Sequence, residues 1–288
     1  MKSLLLCLFL FVSCSTAWQS PVREPATTSE FMHLVLDIDW TIVTEIKDPR
    51  QIVKPHPRVI EVLGIQYFIN EGLEELIIEA LKYPDVKISF FSGGKRARNS
   101  ELLSKIKLKD GRSLKDIATN ILSLEELVKN ELAPENSPFA TRFKKDLTLI
   151  SKDLWQITML DDTPNFVLDT FEKQSDSVFF IGTAFEYFDS FEKTEGHSGE
   201  YVPKSYEAWL LNRKKLFILK EAFVESYRES KRGEGTLLEG MKKRERLLDL
   251  KSHTWNAYSR KLYANAMLSL EKYKKVNCGE MALELIRL

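Results

Sequence analysis

His33-Leu34-Val35-Leu36-Asp37-Ile38-Asp39-Trp40-Thr41 decides the fold. A short apolar run that ends in acids reads as a buried strand whose C-terminal end carries chemistry. Three more runs repeat the pattern. Val86-Lys87-Ile88-Ser89-Phe90-Phe91 ends at Ser92-Gly93-Gly94, Gln156-Ile157-Thr158-Met159-Leu160 ends at Asp161-Asp162, and Ser177-Val178-Phe179-Phe180-Ile181 ends at Gly182. The segments 71–81, 95–106 and 123–132 put their apolar residues on one helical face, and Val59–Gln66 reads as a hairpin arm. Short buried runs separated by helix-length segments predict an α/β fold with a doubly wound, mostly parallel sheet. From Ser205 the pattern changes to two long amphipathic stretches, 205–231 and 236–275, about Arg232-Gly233-Glu234-Gly235. They predict a C-terminal helical hairpin whose aromatic residues at helical spacing belong to the core.

The N-terminus sets the compartment. Met1-Lys2 precedes the apolar run Leu4–Val12, and Ser15-Thr16-Ala17 supplies small residues for cleavage. This predicts a secretory signal peptide over 1–17 and an exported, periplasmic or secreted, chain. The alternative is a lipoprotein anchored through Cys14. The Pro/Ser/Thr-rich stretch 18–30 reads as a linker, 31–200 as the α/β domain and 201–288 as a helical extension. No stretch after the signal is long and apolar enough to span a bilayer. Three cysteines are present and two lie in the signal, so Cys278 would be left without an intramolecular partner. With 42 basic and 42 acidic side chains, the formal charge is zero and no global field points to a nucleic-acid partner. Nothing in the sequence bears on oligomeric state.

The strand ends carry the chemistry. Asp37 and Asp39 suit a nucleophile paired with an acid/base, followed by Thr41. Ser92, Gly93 and Gly94 open a helix with a hydroxyl and freed backbone N–H groups, which can seat a phosphate, with Lys95, Arg96 and Arg98 close in sequence. Asp161-Asp162-Thr163-Pro164 reads either as a hard-cation site beside Asp37 or as an acidic helix cap. Lys145, sixteen residues before Asp161, reads as a charge partner for a phosphoryl group or as a surface lysine. His33, His56, His197 and His253 lack ligand spacing, and neither a P-loop string nor a Gly-x-Ser-x-Gly elbow occurs.

Taken in order, Asp-x-Asp-x-Thr, a strand-end Ser, Lys and a strand-end acidic pair resemble the motifs of haloacid dehalogenase-like phosphatases. The likeness is greatest to the branch that contains the RNA polymerase II C-terminal-domain phosphatases. Lys145-Asp146-Leu147-Thr148, Lys152-Asp153-Leu154 and Asp161-Asp162-Thr163-Pro164 carry it, over about residues 31–185. The resemblance implies a Mg²⁺-dependent phosphatase acting on a phosphorylated small molecule or other phosphoester. Asp37 would be nucleophile and metal ligand, and Asp39 general acid/base and a ligand through its carbonyl. Thr41 would support the loop on the substrate side, Ser92 and Gly93 would hold the phosphoryl oxygens, and Lys145 would orient them. Asp161 and Asp162 would complete the metal site. Trp40, Asn70-Glu71 and Ser92-Gly93-Gly94 depart from the family's usual residues, which bears on substrate and not on chemistry. The alternatives are a catalytically silent binding protein and a phosphotransferase on the same scaffold.

Overall fold

The computed structural model describes residues 18–19, 30–47, 56–169 and 173–287, with side chains over 30–47, 56–169 and 173–272. Residues 1–17, expected to be a signal peptide, and the side chain of Cys278 lie outside the described residues. In chain order the strands are β1 (Trp18–Gln19), β2 (Met32–Leu36), β3 (Val43–Glu45), β4 (Val59–Val62), β5 (Ile65–Ile69), β6 (Val86–Phe91), β7 (Asn120–Leu122), β8 (Val128–Asn130), β9 (Phe143–Lys144), β10 (Ile157–Asp161) and β11 (Val178–Phe180). The α-helices are α1 (Leu73–Leu81), α2 (Arg96–Lys105), α3 (Leu114–Ile117), α4 (Phe139–Arg142), α5 (Tyr206–Lys231), α6 (Leu237–Leu248) and α7 (Ala257–Arg287).

The central sheet is five-stranded in the order β11-β10-β2-β6-β7. Every neighbouring pair in it is parallel. The chain runs outward from β2 through β6 to β7, then returns to the other side of β2 through β10 and β11. The order therefore reverses at the β2/β10 boundary, the place where open α/β sheets bind ligands beyond their carboxyl ends. Leu36 pairs with both Phe90 and Leu160, so the acids after β2 and β10 end level with one another. This is the doubly wound α/β fold expected from the strand runs.

Strand side chains alternate between two buried layers, which is why the runs are apolar throughout. Leu34, Leu36, Phe90, Leu160 and Phe179 face a large core shared with α1, α2, α5 and α6. Val35, Phe91, Met159 and Val178 face a smaller core closed by Leu147, Ile150 and Phe166 from one-turn segments. The stretch 123–132, read as a helix, contributes only the 3-10 turn Leu124–Glu126 before β8. Ser123 and Glu126 form a capping box, but the chain turns extended at Leu127 so that β8 can pair with both β1 and β9. Trp18–Gln19, read as linker, thus supply a short strand. The hairpin arm is present as β4–β5 and, with β3, makes a separate small antiparallel sheet in the order β3-β5-β4.

The C-terminal helices are present, but the second long pattern is broken. Asp249 and His253 adopt left-handed backbone on either side of the 3-10 turn Leu250–Ser252, separating α6 from α7. Asn256 stabilises the break by donating to the carbonyls of Leu247 and Leu248 and accepting from the N–H of Ser259. Arg244 ties the segments together. It is 4% exposed and donates to both Glu229 oxygens at 2.8 and 2.9 Å. It also reaches Glu225, which accepts from the Tyr258 hydroxyl. The hydrogen bonds from Arg244 pull the Glu229 carboxyl down to about 2 from 4.5. We expect Arg244→Leu to lower stability by about 2–3 kcal/mol at neutral pH, measured by urea unfolding. A depressed carboxyl stabilises above its unfolded value and loses that stability as pH falls through its folded one. The wild-type advantage should therefore shrink between pH 4.5 and about 2.

Candidate active site

Asp37 follows β2, and its N–H donates to the Leu160 carbonyl at 3.0 Å, which draws the nucleophile candidate against β10. Asp161 closes β10 with its side chain fully buried, and Asp162 follows beside it. Carboxylate oxygens of Asp37, Asp161 and Asp162 lie within 4.8 Å of one another. Lys145 enters beneath them. Its Nζ donates to Asp37 Oδ1 and to Asp161 Oδ2, each at 2.7 Å, and its side chain is fully buried. The backbone around it explains the Lys-Asp-Leu-Thr string. Lys145 N–H donates to the Phe166 carbonyl, and its own carbonyl accepts from Leu168 N–H. Asp146 accepts from Thr148 N–H, Thr148 Oγ1 and Gln174 Nε2, pinning the 3-10 turn Leu147–Leu149 that follows.

Ser92 is buried at the end of β6. Its hydroxyl donates to Asp39 Oδ2 at 3.0 Å and accepts from Gly94 N–H at 3.1 Å. Gly94 needs to be glycine, since an added Cβ would sit 2.6 Å from the Asn99 amide oxygen. Asp39 is held by Ser92 and by a two-armed ion pair with Arg98. Its side chain is therefore apart from the cluster of Asp37, Asp161 and Asp162. Thr41, expected on the substrate side, is fully buried under the loop, where its carbonyl accepts from Asn70 Nδ2. Its hydroxyl makes no hydrogen bond to the protein. Asp37, Asp39, Gly93, Asp161 and Asp162 line one open cavity of about 530 Å³, with Ser92 and Lys145 buried behind it.

Burial pushes Asp37 well above the usual carboxylate range, with Lys145 opposing and the neighbouring acids adding to the rise. Burial, then the charge of Asp161, raises Asp162 to about 7. Lys145 stays above its ordinary value because Asp161 and Asp37 outweigh its own burial. Crowded carboxylates with only one lysine among them suit a hard divalent cation with oxygen ligands, so the residues present fit Mg²⁺.

Sequence reasoning misses several contributors. Arg98 reads as one of a basic trio, yet it is the residue that turns inward, resting 4.9 Å over the Tyr67 ring while Arg96 pairs outward with Glu126. The rings of Phe139, Phe166 and Tyr201 come from distant segments and have no local signal. Lys215 of α5 is 3% exposed, and its Nζ has no hydrogen-bond partner within the protein. Burial pushes it down to about 8 against the attraction of Asp162. Its only sequence signal is position: it falls on the stripe of Leu211, Leu219 and Ala222, where a charge is out of place.

No family model matches the chain, and no curated protein matches it. Several solved structures are similar, two of them as follows. One is a variant of the fission yeast RNA polymerase II CTD phosphatase Fcp1 bound to beryllium fluoride, 14% identical, covering 87% of this chain and 66% of that one at a TM-score of 0.37. The other is Fcp1, an essential RNA polymerase II CTD phosphatase, 15% identical, covering 83% and 62% at a TM-score of 0.38. The chain spans just under two thirds of the length of either. Among the described residues, no helix is long and apolar enough to cross a membrane.

Proposed function

We propose that the chain is an exported, Mg²⁺-dependent phosphomonoester hydrolase of the haloacid dehalogenase-like type, acting on an extracytoplasmic phosphoester. The observation that carries this reading is the placement of Asp37. It sits at the end of the central strand, 2.7 Å from Lys145 and within a three-carboxylate cluster at the base of an open cavity. The N-terminal apolar run and Ser15-Thr16-Ala17 support export, with a lipid anchor at Cys14 as the alternative.

Asp37, Asp161 and Asp162 would hold the cation with the Asp39 carbonyl. When bound, it supplies positive charge that lets an anionic nucleophile approach a phosphate dianion. An Asp37 oxygen attacks phosphorus while the bond to the leaving oxygen breaks, and Asp39 donates its proton to that oxygen. Water then attacks the Asp37-bound phosphoryl group, gives its proton to Asp39, and releases phosphate and free Asp37. Ser92 and Arg98 hold Asp39 as the carboxylate that takes the proton from water, and the first transfer requires Asp39 to be protonated with one oxygen turned from Arg98 towards the leaving oxygen. Lys145 offsets negative charge on Asp37 throughout.

Hydrolysis of p-nitrophenyl phosphate tests the reading. We expect turnover with Mg²⁺, loss of turnover with chelator, and a fall of at least about 10³-fold in Asp37→Asn. No turnover by folded, Mg²⁺-loaded protein, together with no binding of beryllium fluoride, would leave the fold as a binding module.

A further inference from the structure

Two pairs of aromatic rings wall the cavity above Asp37. Phe139 and Phe166 meet edge-on at 65° with centroids 5.6 Å apart, and Trp40 and Tyr201 lie 5.6 Å apart at 33°. All four line the cavity. The first pair is seated directly on the candidate phosphate loop. A Cβ at Gly93 would stand 2.8 Å from Phe139 Cε1 and 3.3 Å from Phe166 Cζ, so the loop is glycine where the rings rest. The second pair is held by backbone that a bulky residue rarely adopts. Trp40 has φ 64° and its N–H donates to the Val43 carbonyl at 2.7 Å. Phe139 is 39% exposed and Tyr201 is 41% exposed, so apolar ring surface is left in water at the mouth of an acid-floored site.

The charges in the wall are as telling as the rings. Among the described residues, no lysine, arginine or histidine lines this cavity. Three cations behind or beside the wall are held in ion pairs: Arg98 with Asp39, Lys145 with Asp37 and Asp161, and Lys47 with Glu186 at 2.7 Å. A leaving group carrying a second phosphate or a carboxylate would meet the acids of the floor in a wall that offers no basic side chain of its own.

We propose that this cavity selects phosphomonoesters whose leaving group carries an uncharged planar ring, either a nucleoside base or a simple arene, over ring-less sugar phosphates. The catalytic part rests on the phosphatase reading, whereas the ring preference is a property of binding and stands or falls separately. A planar ring presents its face or edge to the four aromatic walls and covers the two exposed rings.

Calorimetric titration of the Mg²⁺-loaded protein with two non-hydrolysable probes, benzylphosphonate and methylphosphonate, reads the preference without turnover. We expect benzylphosphonate to bind at least about tenfold more tightly, with the ratio falling below about threefold in both Tyr201→Ala and Phe139→Ala. Equal binding within about twofold, or binding of neither probe, overturns the proposal. Adenosine monophosphate and ribose 5-phosphate then share one primary leaving oxygen and differ by the base. A higher kcat/KM for the nucleotide assigns a nucleoside, and equal values alongside a retained benzyl preference assign a smaller arene. Loss of p-nitrophenyl phosphate turnover in Asp37→Asn reports the phosphatase reading independently of either ratio.

Discussion

Replacing Lys145 with methionine should cost about 3–5 kcal/mol of stability in metal-free buffer and at least about 10³-fold in hydrolysis. Lys145 is fully buried and is shared between Asp37 and Asp161 at 2.7 Å each. Methionine fills a similar volume, so packing changes little and the loss is electrostatic. Without the ammonium, three carboxylates whose oxygens lie within 4.8 Å of one another are left with mutual repulsion and no cation hydrogen-bonded among them. Mg²⁺ should restore part of this stability, and its effect on the melting temperature should be larger in Lys145→Met than in wild type. Activity should not return with the metal, because the lysine also offsets charge on Asp37 during phosphoryl transfer. Equal melting temperatures for the two proteins in chelator would contradict the assigned role.

Lys215→Met should do the reverse and stabilise the protein by about 3 kcal/mol at neutral pH. The Lys215 ammonium is buried without a hydrogen-bond partner in the protein, and its folded value of about 8 lies below its ordinary 10.5. A base depressed in the folded state is protonated in the unfolded chain and neutral in the folded one between those two values. The penalty is therefore complete below about 8 and declines as pH rises towards 10.5. Denaturant unfolding at pH 7 and at pH 10 checks both the sign and the window. The variant's advantage should be large at the first and small at the second. A destabilised variant at pH 7 would mean that the ammonium has a partner worth more than its burial costs.

Much of this is legible in the sequence because the fold concentrates apolar residues in short central strands. β2, β6, β10 and β11 are buried on both faces, so each reads as an apolar run with its chemistry at the end. Asp37, Ser92 and the Asp161-Asp162 pair sit at those ends, and Lys145 is found through its order among them. β7 escapes such a reading because Asn120-Ile121-Leu122 is too short to register as a run. The stretch 123–132 misleads because its apolar residues keep helical spacing while tertiary pairing turns the residues after Leu127 into β8. The second C-terminal pattern keeps helical spacing across 249–256, where the left-handed residues Asp249 and His253 break it. Which of Lys95, Arg96 and Arg98 turns inward depends on Asp39 and Tyr67, which lie far away in the chain. The aromatic walls are illegible for the same reason, since Phe139 and Tyr201 reach the cavity only through folding.

The most direct test of the central claim is to trap the phosphoryl group on the protein. Radiolabelled phosphomonoester is mixed with Mg²⁺-loaded protein, the reaction is stopped in acid within its first turnover, and the label is mapped by proteolysis. The account predicts label on the peptide that contains Asp37, lost in Asp37→Asn and under chelator. Turnover without any labelled peptide, or label on a residue other than Asp37, would contradict it.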